Sequence, residues 1–252
     1  MRHKSLVPGI LLCGIILSGC ATTGSVDAKL KAPPSKGAGF VAQEQMTKAP
    51  DLPFNKAWAK PGVDWPRYTT IYIAPVNTDY LLKSTWWQKS FRASQMADDV
   101  VHIATFMRTQ FIKAFENDPH HRFRVVSIPE KGSLTLEIAL TELTPSQVFL
   151  AVIKIGGPYG SGVAAAGLER GTETQSTVAF ESKTKDTDTG ETLAMAADRE
   201  YAKFRPIDIS GLAWYGPAEN IIKTWAQQFV QVANKQPGEI IKPASNFSWM
   251  PF

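Results

Sequence analysis

Leu17-Ser18-Gly19-Cys20 closes an apolar run that begins at Leu6, and this short stretch constrains everything that follows it. Arg2 and Lys4 place two positive charges ahead of the run. With the small residues before Cys20 they complete the charged region, apolar region and cleavage site of a secretory signal. The run is too short to span a bilayer once cleaved. Small residues precede such a cut because the peptidase draws an extended backbone into its active site, and the Cys20 thiol is the nucleophile that takes a diacylglycerol. Residues 1–19 therefore read as a leader, Cys20 as the lipid attachment, and the remainder as exported. A short buried N-terminal helix with a chance cysteine is the plainer alternative, and the flanking pattern stands against it.

Export limits the covalent chemistry available to the fold. Of the two cysteines, Cys13 leaves with the leader and Cys20 is consumed by lipid, so no thiol remains for a disulfide or a thiolate metal site. The domain has to hold by packing. A hydrophobic share of 44% with 20% charged residues is that of an ordinary globular protein, and residues 20–252 suffice for one domain with a sizeable core. The formal charge of +4 falls to +2 when Arg2 and Lys4 are removed. So small and dispersed a charge argues against nucleic acid as a partner.

Along the chain, 20–39 is small, polar and rich in Pro and Gly, and reads as a flexible tether. Prolines at 50, 53, 61 and 66 forbid long helices between Phe40 and Pro66, while Phe40, Phe54, Trp58 and Trp65 require burial, so an arm packed across the domain is expected. Thr69 to Val76 is β-branched and aromatic and reads as the first strand of the sheet. Ser94 to Asn117 carries Met96, Val100, Ile103, Met107, Phe111 and Phe115 at helical spacing, with Asp98 and Asp99 suiting its N-terminal end. Phe123 to Ile128 follows as a strand parallel to the first. Leu134, Leu136, Ile138 and Leu140 alternate with Thr135, Glu137, Ala139 and Thr141, which predicts a strand with one core face and one wet face. Gln175 to Asp186 and Thr192 to Tyr201 flank the hairpin signal Asp188-Thr189-Gly190-Glu191. Pro217 opens a second helix with Ala218, Ile221, Ile222, Trp225, Phe229 and Val232 on one face. The aromatic tail Phe247, Trp249 and Phe252 is expected to pack. The fold expected is α+β: a mixed, mostly antiparallel sheet of about five strands with two amphipathic helices on one face, forming a single domain over 40–252.

The attachment box, the Pro-rich arm, a strand ending in Ala74-Pro75-Val76, the Gly-rich middle, Asp188-Thr189-Gly190-Glu191 and Trp225-Ala226 in the final helix together resemble the proteobacterial lipoproteins filed as domain of unknown function 3313. The resemblance covers most of the exported chain and implies location and fold, the family having no assigned activity to carry over. Ala21 is not the Asp that retains lipoproteins of this type in the inner membrane, so the resemblance also implies outer-membrane anchoring on the periplasmic face.

Catalytic constellations are scarce. The exported chain has no HExxH, GxSxG, Walker loop or CxxC. His102, His120 and His121 suggest a metal site only if the fold gathers them, and histidines near a helix C-terminus are more simply explained by its dipole. Asp98 and Asp99 point about 100° apart on a helix and read as N-terminal charges rather than an acid/base pair. Gly160, Gly162 and Ala165 match a dinucleotide fingerprint, yet polar, strand-like sequence follows where a helix is required. No catalytic residue, cofactor or metal is therefore expected.

Two stretches suggest contact surfaces instead. Tyr80 to Lys89, with Trp86 and Trp87, lies after a strand where open sheets place binding sites, although both indoles would equally cap a core. Val148 to Leu168 holds one charge, Lys154, and Gly157-Pro158 interrupts any continuous helix; it either meets another surface or folds over its own core. Tyr80, Trp86, Trp87, Lys89, Ile155, Tyr159 and Val163 form the expected interaction surface. The function read from the sequence is a lipid-anchored, non-catalytic adaptor or assembly protein with a protein partner or a second copy. Binding of an apolar or lipid-like ligand is the alternative, and an envelope hydrolase without a recognisable motif is the third. Replacing 148–168 with a short Gly-Ser linker should leave the melting temperature within about 2 °C while abolishing oligomers or crosslinked partners. Unfolding on replacement would instead make the segment part of the core.

Overall fold

The computed structural model describes Ala32, residues 34–84, Trp87, and residues 97–144, 176–202 and 215–243. Cys20, Trp86, Lys89, Ile155, Tyr159 and Val163 lie outside the described residues, as do residues 1–19, Ser94, the segment 148–168 and the aromatic tail. In chain order the elements are β1 (Lys56–Ala59), β2 (Thr70–Ile73), the one-turn α1 (Asp79–Leu82), α2 (Ala97–Glu116), β3 (Arg124–Val126), β4 (Leu134–Thr144), β5 (Ser176–Asp186), β6 (Thr192–Ala202) and α3 (Gly216–Ala233).

The strands form one six-stranded sheet in the order β1-β6-β5-β4-β2-β3. Its centre is an antiparallel meander of β4, β5 and β6, and β2 joins it parallel to both β4 and β3. The fold class is the α+β arrangement expected, with one more strand than the approximate five. The extra strand is β1, antiparallel to β6, drawn from the arm ahead of the strand expected to be first. Lys56-Ala57-Trp58-Ala59 has little intrinsic β preference, so pairing with β6 decides its conformation.

Both long helices cover one face of the sheet. Val100, Ile103, Met107, Phe111 and Phe115 recur down α2 and are buried, as are Ala218, Ile222, Trp225 and Ala226 of α3. They meet Ile71 and Ile73 of β2, the alternating Leu134, Leu136, Ile138 and Leu140 of β4, and Val178 and Phe180 of β5 in one continuous core. The Trp225 indole packs edge-on to Phe180, with ring centroids 4.7 Å apart.

Buried carboxylates tie distant segments together. Asp198 on β6 accepts the Trp225 indole N–H at 2.8 Å and the Asn55 amide at 3.0 Å, joining helix and arm. Asp118, beyond α2, accepts from the His120 and Arg122 amides and from Asn234 Nδ2 at the end of α3. Burial opposes ionisation of Asp118, but the Asn234 amide and the two backbone donors outweigh it and hold its carboxyl below the usual range. Asp186 closes the β5–β6 hairpin: Oδ1 accepts the Asp188 and Thr189 amides, while Oδ2 accepts the Tyr68 hydroxyl at 2.6 Å and Arg67 at 2.5 Å. Gly190, at φ 71°, occupies the left-handed turn position.

The Tyr68 hydroxyl, followed by the Thr189 amide, lowers the Asp186 carboxyl from its ordinary 3.8 to about 2. Its ionised form therefore stabilises the fold above pH 4, and that contribution is lost as pH falls through about 2. Allowing for solvent around the half-exposed Arg67, it amounts to about 1–2 kcal/mol. Urea unfolding of wild type and Asp186→Asn at pH 5 and pH 2 should show a stability difference at the higher pH that largely closes at the lower. A difference independent of pH would assign the effect to packing.

Candidate functional site

Alternation along the central strands sends Ile138, Phe180 and Ala196 to the helix-covered core and Ala139, Glu181 and Ala197 to the opposite face. The last three form one cross-strand row, with an alanine on each side of the glutamate. Such small neighbours let a length of backbone descend onto the carboxylate, and the segment from Ala32 to Thr47 does so as a strap across the sheet. Glu181 Oε1 accepts the Ala38 amide at 2.7 Å and Gln43 Nε2 at 2.8 Å; Oε2 accepts the amides of Phe40 at 2.9 Å and Val41 at 3.0 Å. Its side chain is thereby 0% exposed. Gly37 and Gly39, at φ 94° and 90°, turn the strap so that these amides converge.

The strap is fixed at both ends. Ala32 is buried and donates its amide to Arg199 O at 3.2 Å, while Thr47 and Ala57 exchange backbone hydrogen bonds of 3.1 and 2.9 Å along the outer side of β1. The docked segment thus begins well before Phe40, where composition had ended the tether. Apolar contact adds to the polar clasp: Val41 and Met46 pack on Met195 and Ala197 in a cluster separate from the main core, with Phe40 and Trp58 against its side.

Charged groups occupy the rest of this face. Arg199 makes a two-pronged contact with Glu142, at 2.7 and 2.8 Å, which holds the guanidinium further toward its charged form. Thr177 also donates to Glu142, and Lys185 reaches Glu137 at 2.8 Å. Lys183 is paired in register with Glu137 on β4 and Met195 on β6, and Met195 in turn with Trp58 on β1. Its ammonium stands 4.4 Å from the centroid of the strap's Phe40 ring. Between strap and sheet, Gly39, Phe40, Val41, Trp58, Lys183 and Met195 line an open groove of about 630 Å³.

Only part of the expected interaction surface lies among the described residues. Tyr80 is half-buried, its ring edge-on to Phe40 at 5.4 Å with the Lys83 ammonium 5.9 Å from its centroid, so it braces the strap. Trp87 is a correction: it is 2% exposed within the main core, and its indole N–H donates to Leu143 O at 3.1 Å. It caps the core and presents no contact surface. His102 on α2 lies 3.3 Å from Glu219 of α3, whereas His120 and His121 follow the far end of α2, so the helix keeps them apart. Among the described residues, no three His, Cys, Asp or Glu side chains gather as metal ligands.

Glu181 went unnoticed in the sequence because Glu181, Lys183 and Lys185 alternate with Phe180, Ser182 and Thr184, the signature of a wet strand face. The local signal for the clasp was the pair Gly37 and Gly39, which composition alone assigns to a linker. Asp186, Asp198 and Asp118 likewise act through partners remote in sequence.

A family model described as "Protein of unknown function (DUF3313)" matches residues 36–229. No curated protein matches the chain by sequence. Among solved structures, the chain is similar to the PelC dodecamer from Paraburkholderia phytofirmans at 8% identity, covering 68% of this chain and 93% of that one with a TM-score of 0.36. It is similar to protein XCC0632 from Xanthomonas campestris, described under DUF330, at 11% identity, with coverage of 68% and 88% and a TM-score of 0.38. Lipoprotein GNA1162 from Neisseria meningitidis matches at 15% identity, with coverage of 66% and 99% and a TM-score of 0.22.

Removing the Glu181 carboxylate should free the strap selectively. In Glu181→Ala, hydrogen exchange followed by mass spectrometry is expected to show about 10- to 100-fold faster exchange over residues 38–43, from the loss of hydrogen bonds to a charged group. Protection in β4, β5 and β6 should persist. Equal loss throughout the meander would mean that strap and sheet open as one unit.

Proposed function

The chain belongs to the family of proteins of unknown function DUF3313, and from that membership and the attachment box we propose that it is an envelope lipoprotein, anchored by lipid at Cys20, that works through non-covalent contacts. The box at Leu17-Ser18-Gly19-Cys20 is the observation that carries this reading. Among the described residues no helix is long and apolar enough to cross a membrane, and on this reading lipid at Cys20 is the attachment. Ala21 in place of Asp supports the outer membrane as its destination, with the domain on the periplasmic side.

The docked strap gives the anchor a geometry. With Ala32 bound at β6, the link from Cys20 reaches about 40 Å at full extension and about 20 Å as a flexible coil. The domain is thereby kept near its membrane, as suits a protein that holds or assembles partners there. A non-catalytic role is supported by the occupation of the buried carboxylates: Glu181, Asp186, Asp198 and Asp118 are each engaged by donors of this chain.

Cys20→Ser should accumulate as an uncleaved precursor that takes up no labelled palmitate. Processed protein recovered with the outer membrane despite this substitution would overturn lipid anchoring. Crosslinking in intact cells tests the contact role separately: a discrete adduct with an envelope protein or a second copy is expected, and its absence in cells that retain the anchored protein would count against an adaptor.

A further inference from the structure

The groove between strap and sheet sets a lysine beside the apolar cluster that holds the strap. Lys183, Met195 and Trp58 stand in one cross-strand row over three adjacent strands, placing an ammonium, a buried thioether and an indole side by side. Phe40 and Val41 of the strap form the facing wall. Lys183 is half-buried, and among the described residues its ammonium has the Phe40 ring beside it but no carboxylate in ion-pair contact. Its cross-strand neighbour Glu137 is taken by Lys185. The Trp58 indole N–H likewise donates to no described acceptor. Lys60 pairs with Glu191 and Lys185 with Glu137, while Lys56 on β1 donates to the neutral Gln43 Oε1 at 3.1 Å.

We propose that this groove binds a single-chain amphiphile with an anionic head, the head received by Lys183 and the apolar chain laid along Phe40, Trp58 and Met195. The groove, of about 630 Å³, is open to solvent, so one such molecule would lie along its lining with part of its surface left in water. An ammonium has three donors, so it can take a carboxylate or phosphate oxygen while keeping its place on the Phe40 ring. A peptide added as a further strand is disfavoured at this edge, because Thr47 already exchanges hydrogen bonds with Ala57 on the open side of β1. Glu44 also lines the groove and is exposed, so water screens its charge from the head. The proposal stands independently of how the chain is anchored.

Photo-crosslinking of the full chain in an uncharged maltoside detergent tests it. The probes are a diazirine-bearing palmitic acid, the corresponding fatty alcohol, and a diazirine-bearing lysophosphatidic acid, with adducts mapped by peptide mass spectrometry. Acidic probes are expected to label peptides containing Phe40, Trp58 or Met195 about tenfold more than the alcohol, the scale of one hydrogen bond to a charged group. The ratio between the two acids separates a carboxylate from a phosphate head. Lys183→Gln should reduce acid labelling to the level of the alcohol, Lys183→Arg should retain it, and Trp58→Phe should lower it several-fold. Thermal melts of each variant distinguish loss of binding from loss of fold. Equal labelling by acid and alcohol, or undiminished labelling in folded Lys183→Gln, would overturn the proposal.

Discussion

A carboxylate buried at the middle of a sheet must be given donors, and Glu181 receives four from one short segment. Stripping a carboxylate of water costs several kcal/mol, and hydrogen bonds to a charged acceptor contribute about 1.5–3 kcal/mol each. With the strap undocked, water would serve Glu181 equally well, so the net contribution of the clasp is far smaller than its gross strength. Its main consequence is geometric. Only a backbone turned by Gly37 and Gly39 brings the amides of 38, 40 and 41 to one point, which fixes where the strap lies. The apolar contacts of Val41 and Met46 with Met195 and Ala197 then supply much of the stabilisation.

The same device recurs through the fold. The chain has no cysteine after Cys20, and buried aspartates join segments far apart in sequence. Asp186 links the turn at 65–68 to the hairpin, Asp198 links the arm to α3, and Asp118 links the ends of α2 and α3. Each accepts at least one backbone amide and at least one side-chain donor. Such a pairing sets position more sharply than packing does, because losing either partner leaves a buried charge incompletely satisfied.

Periodicity made the helix-covered half of the molecule legible. The apolar stripes of α2 and α3, the alternation of β4 and the turn at Asp188-Thr189-Gly190-Glu191 are local patterns, and the corresponding elements form where they were expected. The other half was hidden because its pattern is tertiary. Residues 32–39 have the composition of a linker, yet the amides of Ala32, Ala38 and Phe40 find partners on strands more than a hundred residues away. Lys56-Ala57-Trp58-Ala59 becomes a strand by pairing with β6 rather than by propensity. Trp87 was ambiguous from sequence, since an indole beside basic residues suits a surface as well as a core. The Leu143 carbonyl resolves the ambiguity by accepting its N–H inside the core.

The strap has two roles that cannot vary independently. On the lipid-anchor proposal it carries the chain from Cys20 toward the domain, and it forms the Phe40–Val41 wall of the groove. Tension from such an anchor would act first on the Ala32 hydrogen bond and then on the Glu181 clasp, and undocking the strap takes that wall away. On the ligand proposal, linkage requires the reverse as well: an amphiphile held between strap and sheet stabilises the docked strap by as much as docking strengthens its binding. Membrane distance and groove occupancy would then be one equilibrium, with Glu181 at its centre.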